Sequence, residues 1–235
     1  MSSDSPTADT REGLESLIRN LAARALEASE TLGELPTERK NAWLLRVAER
    51  LEDGREQILQ ANARDVAAAM DKGVAEPLRN RLGLSDGKWR DMIQGLRDVV
   101  ALPDPVGRIT DHSVRPNGLR VGRMAIPLGV IAMIYESRPN VTVDAAALCV
   151  KAGNAVLLRG GSEAIHSNLA LGEELRAAAR DVGLPEDAIT IVPTPDRAAI
   201  DVLLGLHDMI DLVIPRGGPG LIRKVVAEST IPVIS

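Results

Sequence analysis

Apolar residues change their spacing once along this chain, and the change divides it into two styles. From Thr10 to Leu102 they recur every three or four positions, the spacing of helices that turn one face inward. Leu14, Leu17, Ile18, Leu21 and Ala25 mark the first such face, stopped at Gly33. Thr37 is placed to cap a second helix holding Trp43, Leu44, Val47 and Leu51, which ends near Asp53-Gly54. A third carries Ile58, Leu59, Ala63, Val66 and Met70, with Gly73 as its stop. Ser85 is placed to cap another, with Trp89, Met92, Ile93 and Leu96 inward. From Gly129 onward, short near-continuous apolar runs alternate with helical ones. Strands are predicted at 130–135, 155–159, 189–192, 212–214 and 231–234, and helices at roughly 141–151, 163–182, 196–204 and 219–229. Buried strands separated by helices predict an α/β fold: N-terminal helices plus a doubly wound parallel sheet covered on both faces.

Between the two styles, Arg115-Pro116-Asn117-Gly118-Leu119-Arg120 sets an Asn-Gly pair between short β-prone runs, a strong hairpin signal. Arg108, Arg115, Arg120 and Arg123 flank it. Such a ribbon is either a surface hairpin or an oligomerisation arm that pairs with another subunit's sheet edge, and the residues leave both open. The expected organisation is a disordered polar tail over 1–9, a helical segment over 10–108, the hairpin over 109–126, and a parallel α/β region over 127–235.

Composition narrows the partners. Of 235 residues 45% are hydrophobic and 26% charged, the balance of a soluble globular protein. A net charge of −5 argues against nucleic acid or an anionic membrane surface, and with no Phe, one Tyr and two Trp there is no base-stacking platform. The single cysteine, Cys149, excludes an internal disulfide and suggests a reducing compartment. No apolar run reaches bilayer-spanning length, so a cytoplasmic protein is expected.

The chemistry concentrates where the first strands end. The 130–135 strand runs into a polar elbow, Glu136-Ser137-Arg138-Pro139-Asn140, and the 155–159 strand ends in Arg159-Gly160-Gly161-Ser162. In a parallel sheet both exits lie at the carboxyl edge, where open α/β sheets bind ligands. A basic side chain and two glycines at a strand-to-helix exit suit a nucleotide phosphate or ribose. Arg159 as a snorkelling side chain and Gly160 and Gly161 as a plain turn are the alternatives. A second glycine loop, Arg216-Gly217-Gly218, precedes a helix starting at Pro219, whose free N–H groups suit the pyrophosphate or the nicotinamide end of a dinucleotide. For Arg216, ligand and structural roles both stand.

Taken together, YESRPNVTVDAAALCVKAGNAVLLRGGSEAIHSNLAL and the later DLVIPRGGPGLI resemble the γ-glutamyl phosphate reductases, a family within the aldehyde dehydrogenase superfamily. The resemblance runs over nearly the whole chain. It implies NADPH-dependent reduction of L-glutamyl 5-phosphate to glutamate 5-semialdehyde, with phosphate release, in proline biosynthesis. In such enzymes a cysteine thiolate attacks the acyl phosphate to give a thioester, which hydride then reduces to the aldehyde.

The resemblance also suggests roles for particular residues. Arg159 stands where superfamily members commonly have a lysine that contacts the adenosine ribose. Ser162 falls near the acidic residue of NAD-preferring relatives, so a guanidinium with a neutral Ser suits the 2′-phosphate of NADP(H). Asn140 matches the superfamily's side-chain oxyanion donor, and its position also suits a helix N-cap. Arg138 is a candidate for the substrate carboxylate or phosphate, and Glu136 for the substrate amine or for Arg138 itself. A homo-oligomer formed through the hairpin is expected, and glutamate 5-kinase is a candidate partner.

Other residues carry less. Cys149 sits among Ala145, Ala146, Leu148 and Val150 on an apolar helix, without an activating partner, and reads as inert packing. His112, His166 and His207 are isolated, so no metal site is expected. Lys151 reads as a helix C-terminal charge. In the family the nucleophilic cysteine lies beyond the fifth strand, in a separate catalytic domain that this chain is expected to lack. The chain as given is therefore expected to bind NADPH weakly or not at all and to turn over nothing. Two other readings stand beside this one. The first is another acyl- or aldehyde-oxidising member of the superfamily, disfavoured by the charged elbow; the second is a non-catalytic nucleotide-binding or oligomerisation module.

Overall fold

The structure, a computed structural model, describes residues 11–235; the polar tail read over 1–9 lies outside them. Helix α1 (Arg11–Gly33) buries Leu14, Ile18 and Ala25 as the spacing predicts, with Ala22 and Leu32 on the same face, while Leu17 and Leu21 are only half-buried. It is followed by α2 (Thr37–Asp53), α3 (Arg55–Asp71), α4 (Glu76–Leu82) and α5 (Asp86–Ala101). Gly73 ends α3 at φ +67°, and Ser85 caps α5 by accepting the Lys88 N–H at 3.4 Å. Thr37 does not cap α2. Pro36 takes that position with extended backbone, and the Thr37 hydroxyl donates instead to Asp104 at 2.7 Å. Helix α4 was not foreseen, because seven residues are too few to display a helical period. It is held by the Lys88 ammonium, which donates to the carbonyls of Asn80, Arg81 and Gly83 at 2.5, 2.9 and 2.7 Å.

Strands β1 (Ile109–Val114) and β2 (Arg120–Met124) pair antiparallel, and Gly118 turns the tip at φ +82°. Every residue of both strands is exposed. The chain then alternates as predicted: β3 (Val130–Tyr135), α6 (Asn140–Lys151), β4 (Ala155–Arg159), α7 (Ile165–Val182), β5 (Ile189–Ile191), α8 (Ala198–Leu204), β6 (Leu212–Arg216) and α9 (Pro219–Glu228). A short 3-10 turn over Ser162–Ala164 leads into α7. The four sheet strands are all parallel, in the order β5-β4-β3-β6. The predicted strand at 231–234 reduces to a single bridge, Val213 with Val233. Pro232 has no N–H to extend that ladder.

One apolar core joins the helices to the sheet. Trp43 is fully buried, and its indole N–H donates across from α2 to the Leu175 carbonyl in α7 at 3.1 Å. Two buried lysines tie the layers as well. Lys40 of α2 meets Asp104 at 2.5 Å, and Lys151 donates to Asn41 Oδ1 at 2.6 Å and the Val100 carbonyl at 3.1 Å. Lys151 is thus an internal strut, 3% exposed, and not a solvated helix-end charge. In the sheet, β4 and β5 build outward from one side of β3, and β6 returns on the other. The order therefore reverses between β3 and β6, and a crevice opens beyond their carboxyl ends, the usual ligand position in such sheets.

Candidate functional site

Glu136 stands at this reversal. Its Oε2 accepts the Gly218 N–H at 2.8 Å, joining the elbow after β3 to the glycine loop after β6. Glycine at 217 leaves room for it, since a Cβ there would lie 2.5 Å from that carboxylate oxygen and would push the side chain aside. The acid is engaged with the loop and not with Arg138.

Two cavities, each about 290 Å³, meet at Glu136. The first lies between the exits of β3 and β4 and the helices α8 and α9; Arg159, Ser162, Arg197, Gly220, Leu221 and Lys224 are on its wall. The second faces α4 and is lined by Arg81, Arg138, Val141, Arg216, Gly217 and Gly218. Arg216 therefore belongs to the opposite side of the crevice from Arg159. A larger hollow of about 960 Å³ is bounded by α1 and α8 and not by the exits of β3 and β6.

Arg159 is 5% exposed. Its guanidinium donates to the carbonyls of Gly160, Pro195 and Asp196 at 2.8, 3.0 and 3.1 Å, tying the β4 exit to the 193–197 loop. This differs from snorkelling. Burial pushes its pKa down, and nearby Glu163 acts in the opposite direction. Its Nε is a buried donor without a hydrogen-bond partner among the described residues. Gly160 is required by packing, because a Cβ would fall 2.0 Å from the Asn168 amide nitrogen and 3.1 Å from the Tyr135 ring. At Gly161 a Cβ would fall 2.3 Å from the Glu163 carboxylate. That carboxylate accepts the Ser137 N–H and hydroxyl at 2.7 and 2.6 Å, which fixes the elbow. Ser162 is exposed at the cavity mouth.

The start of α7 is not a free anion site. Asp65 of α3, 3% exposed, accepts the His166 N–H at 3.3 Å, His166 Nδ1 at 2.7 Å and the Ser167 N–H at 2.7 Å. At the start of α9, by contrast, the N–H groups of Gly220 and Leu221 make no hydrogen bond among the described residues, and both residues border the first cavity. Sequence reasoning missed Arg197 and Lys224, whose only signal was that they follow strand exits at the carboxyl edge.

Asn140 opens α6 but does not cap it; Pro139 holds the cap position. The Asn140 amide donates to Asp144 at 3.1 Å, which uses one of its two hydrogens. Desolvation pushes the Asp144 carboxyl up, against Asn140 and Arg216, which act downward. Behind the elbow, Thr142 donates to Asn168 Oδ1 at 3.1 Å, so Tyr135 must donate to Thr142 across 2.6 Å. Cys149 is buried and burial alone pushes its thiol up to about 12, so it holds its proton at neutral pH. No group of His, Cys, Asp and Glu suited to a metal occurs among the described residues, nor any helix long and apolar enough to cross a membrane.

A parallel sheet with glycine exits on both sides of its order reversal narrows the class, and comparison with known proteins gives it: the chain belongs to the aldehyde dehydrogenase family, whose sequence profile matches residues 2–233. Within that family it is similar to gamma-glutamyl phosphate reductases. The protein of that name from Desulfotalea psychrophila is 53% identical over 94% of this chain and 53% of its own length. The one from Moorella thermoacetica is 53% identical over 92% of this chain and 52% of its own length. The chain thus spans about half the length of the curated relatives it matches. Among solved structures, gamma-glutamyl phosphate reductase from Thermotoga maritima superposes with a TM-score of 0.90 at 41% identity, over 93% of this chain and 53% of that one. The Saccharomyces cerevisiae enzyme gives 0.87 at 31% identity, over 93% and 55%. An acetylating aldehyde dehydrogenase from Geobacillus thermoglucosidasius, 18% identical with a TM-score of 0.70 over 97% and 47%, shares the fold.

Proposed function

We propose that this chain is the NADP(H)-binding part of a γ-glutamyl phosphate reductase. The reaction converts L-glutamyl 5-phosphate, NADPH and a proton to glutamate 5-semialdehyde, phosphate and NADP. The observation that carries the reading is the crevice at the β3–β6 reversal, where an elbow and a glycine loop are linked through Glu136.

The first cavity suits a phosphorylated dinucleotide. The Gly220 and Leu221 N–H groups at the start of α9 attract phosphate oxygens, and Arg197 adds positive charge; Lys224, paired with Asp201 at 2.7 Å, would join it by exchanging that acid for a phosphate. The orphaned Nε of Arg159 leaves one buried donor for a ligand oxygen at the same wall. Arg159 thereby shapes the wall through the carbonyls it holds, with the exposed Arg197 as the cation for a 2′-phosphate. The nicotinamide, when bound, would supply hydride at the elbow end. There Asn140 has a second amide hydrogen to direct at a developing oxyanion, with its orientation held by Asp144. The thiolate must come from outside these 235 residues, because the only cysteine, Cys149, is buried and protonated. The exposed β1–β2 ribbon would pair with a second copy of the chain.

A second reading, a nucleotide-binding module without chemistry of its own, is favoured by the state of Cys149. The test is phosphate-dependent reduction of NADP by glutamate 5-semialdehyde, followed by NADPH absorbance. Turnover that survives Cys149→Ser supports the reductase with another nucleophile. Turnover abolished by that change would overturn the packing role of Cys149, and none from a folded chain supports the second reading.

A further inference from the structure

Three guanidinium groups reach the second cavity from three separate parts of the chain. Arg81 comes from the last turn of α4, Arg138 from the elbow, and Arg216 from the end of β6; Glu136 lies on the same wall. None of the three makes an ion pair or a side-chain hydrogen bond among the described residues. Elsewhere other arginines are paired: Arg46 and Arg50 share Asp181, and Arg176 and Arg180 share Glu186. Arg81 is held at the cavity by its neighbours. Its own carbonyl accepts from Lys88 at 2.9 Å, and that of buried Leu82 accepts from Asn62 at 3.0 Å. Lys88 feels the positive charge at this mouth. Burial, acting first, pushes its ammonium down, and Arg138 pushes it further. The one acid on the wall, Glu136, uses one oxygen on the Gly218 N–H and leaves the other uncommitted.

We propose that Arg81, Arg138 and Arg216 form an acid-binding pocket for a small amino acid carrying a second anionic group at the end of its side chain, with Glu136 facing its ammonium. This rests on the proposed function, deepens it by adding Arg81, and moves Arg216 from the cofactor to the substrate. The charges match. Three guanidinium groups and one carboxylate leave an excess of about two positive charges. An ammonium, a carboxylate and a phosphoryl group of charge near −2 leave about two negative ones. Guanidinium suits both acids because its planar fork binds carboxylate or phosphate oxygens in pairs. An aldehyde without acidic groups would leave all three cations unmatched, so the pocket selects against it.

The probe is the phosphonate isostere of glutamyl phosphate, with methylene groups in place of the acyl carbonyl and the bridging oxygen, titrated calorimetrically into the chain. NADPH is titrated in parallel. Arg81→Gln and Arg216→Gln should each weaken the phosphonate at least tenfold, about 1.4 kcal/mol, and leave NADPH affinity within about twofold. Arg81→Lys should recover part of the loss. Glu136→Gln should remove the preference for the isostere over its analogue without the amine. Phosphonate affinity unchanged in both arginine variants would overturn the proposal, as would failure of the unaltered chain to bind it while binding NADPH. Arginine-dependent phosphonate binding without NADPH binding would uphold the pocket and overturn the cofactor assignment instead.

Discussion

Removing the Asp104 carboxylate tests the most buried ion pair of the fold. Lys40 Nζ lies 2.5 Å from Asp104 Oδ2, and the two side chains are 1% and 11% exposed. The Thr37 hydroxyl donates to the same oxygen at 2.7 Å, and the Val106 N–H to Oδ1 at 2.9 Å. Burial acts to raise the Asp104 pKa, but these partners together hold it below the ordinary carboxylate range. Burial likewise pushes the Lys151 ammonium down; Asp104 pulls it up and Lys40 pushes it down. Asp104→Ala would therefore leave two buried ammonium groups without their shared acid. At an effective dielectric of about 20, the direct attraction at this separation is about 7 kcal/mol. Desolvation cancels much of that, and truncating one partner of a buried pair costs about 3–5 kcal/mol. For a chain of this size the loss corresponds to a fall in Tm of about 6–20 °C, read by far-UV circular dichroism. The apolar double variant Lys40→Met/Asp104→Leu should recover most of it. Because the folded carboxyl is depressed, its contribution is complete above the unfolded pKa, about 3.9, and fades as pH falls through the folded value. Asp104→Ala within about 0.5 kcal/mol of the parent, or a loss merely additive with that of Lys40→Met, would refute this reasoning.

Cys149 should resist alkylation in the native chain and react on unfolding. Its raised pKa makes stability fall as pH climbs from the unfolded thiol range, about 8.5, toward 12, and Cys149→Ser should flatten that decline. Native-state alkylation as fast as in denaturant would contradict its burial. Gly160→Ala should lower stability by about 1–3 kcal/mol, because its Cβ would lie 2.0 Å from the Asn168 amide; unchanged urea midpoints would show that α7 yields freely. Deleting residues 109–124 should shift the chain toward the monomer in light scattering without lowering its Tm, and an unchanged molar mass would exclude the ribbon as a pairing arm.

Legibility in the sequence followed how local each determinant was. Strands β3 and β4 match their predicted bounds, since unbroken apolar runs closed by a polar elbow or a glycine pair admit little else. Helix α4 has no separate signal because it is too short to show a period, and the strand expected at 231–234 shrinks to one bridge because of the proline within it. At the site, the elbow and both glycine loops were visible as exits from strands. Their partners were not. Arg159 turns inward because the 193–197 loop brings two carbonyls to it, and the start of α7 is closed by Asp65 from a helix a hundred residues earlier. Arg81 reaches the crevice only because Lys88 and Asn62 fix the end of α4, a tertiary arrangement without a local signature.

The most direct test of the central claim is a titration of NADPH into the chain, followed by nicotinamide fluorescence and by protection from thermal unfolding. Weak but saturable binding is predicted, tighter for NADPH than for NADH, reduced by Arg197→Ala and Lys224→Ala, and indifferent to Cys149→Ser. A folded chain that melts identically with and without the cofactor, and shows no fluorescence change, would contradict it.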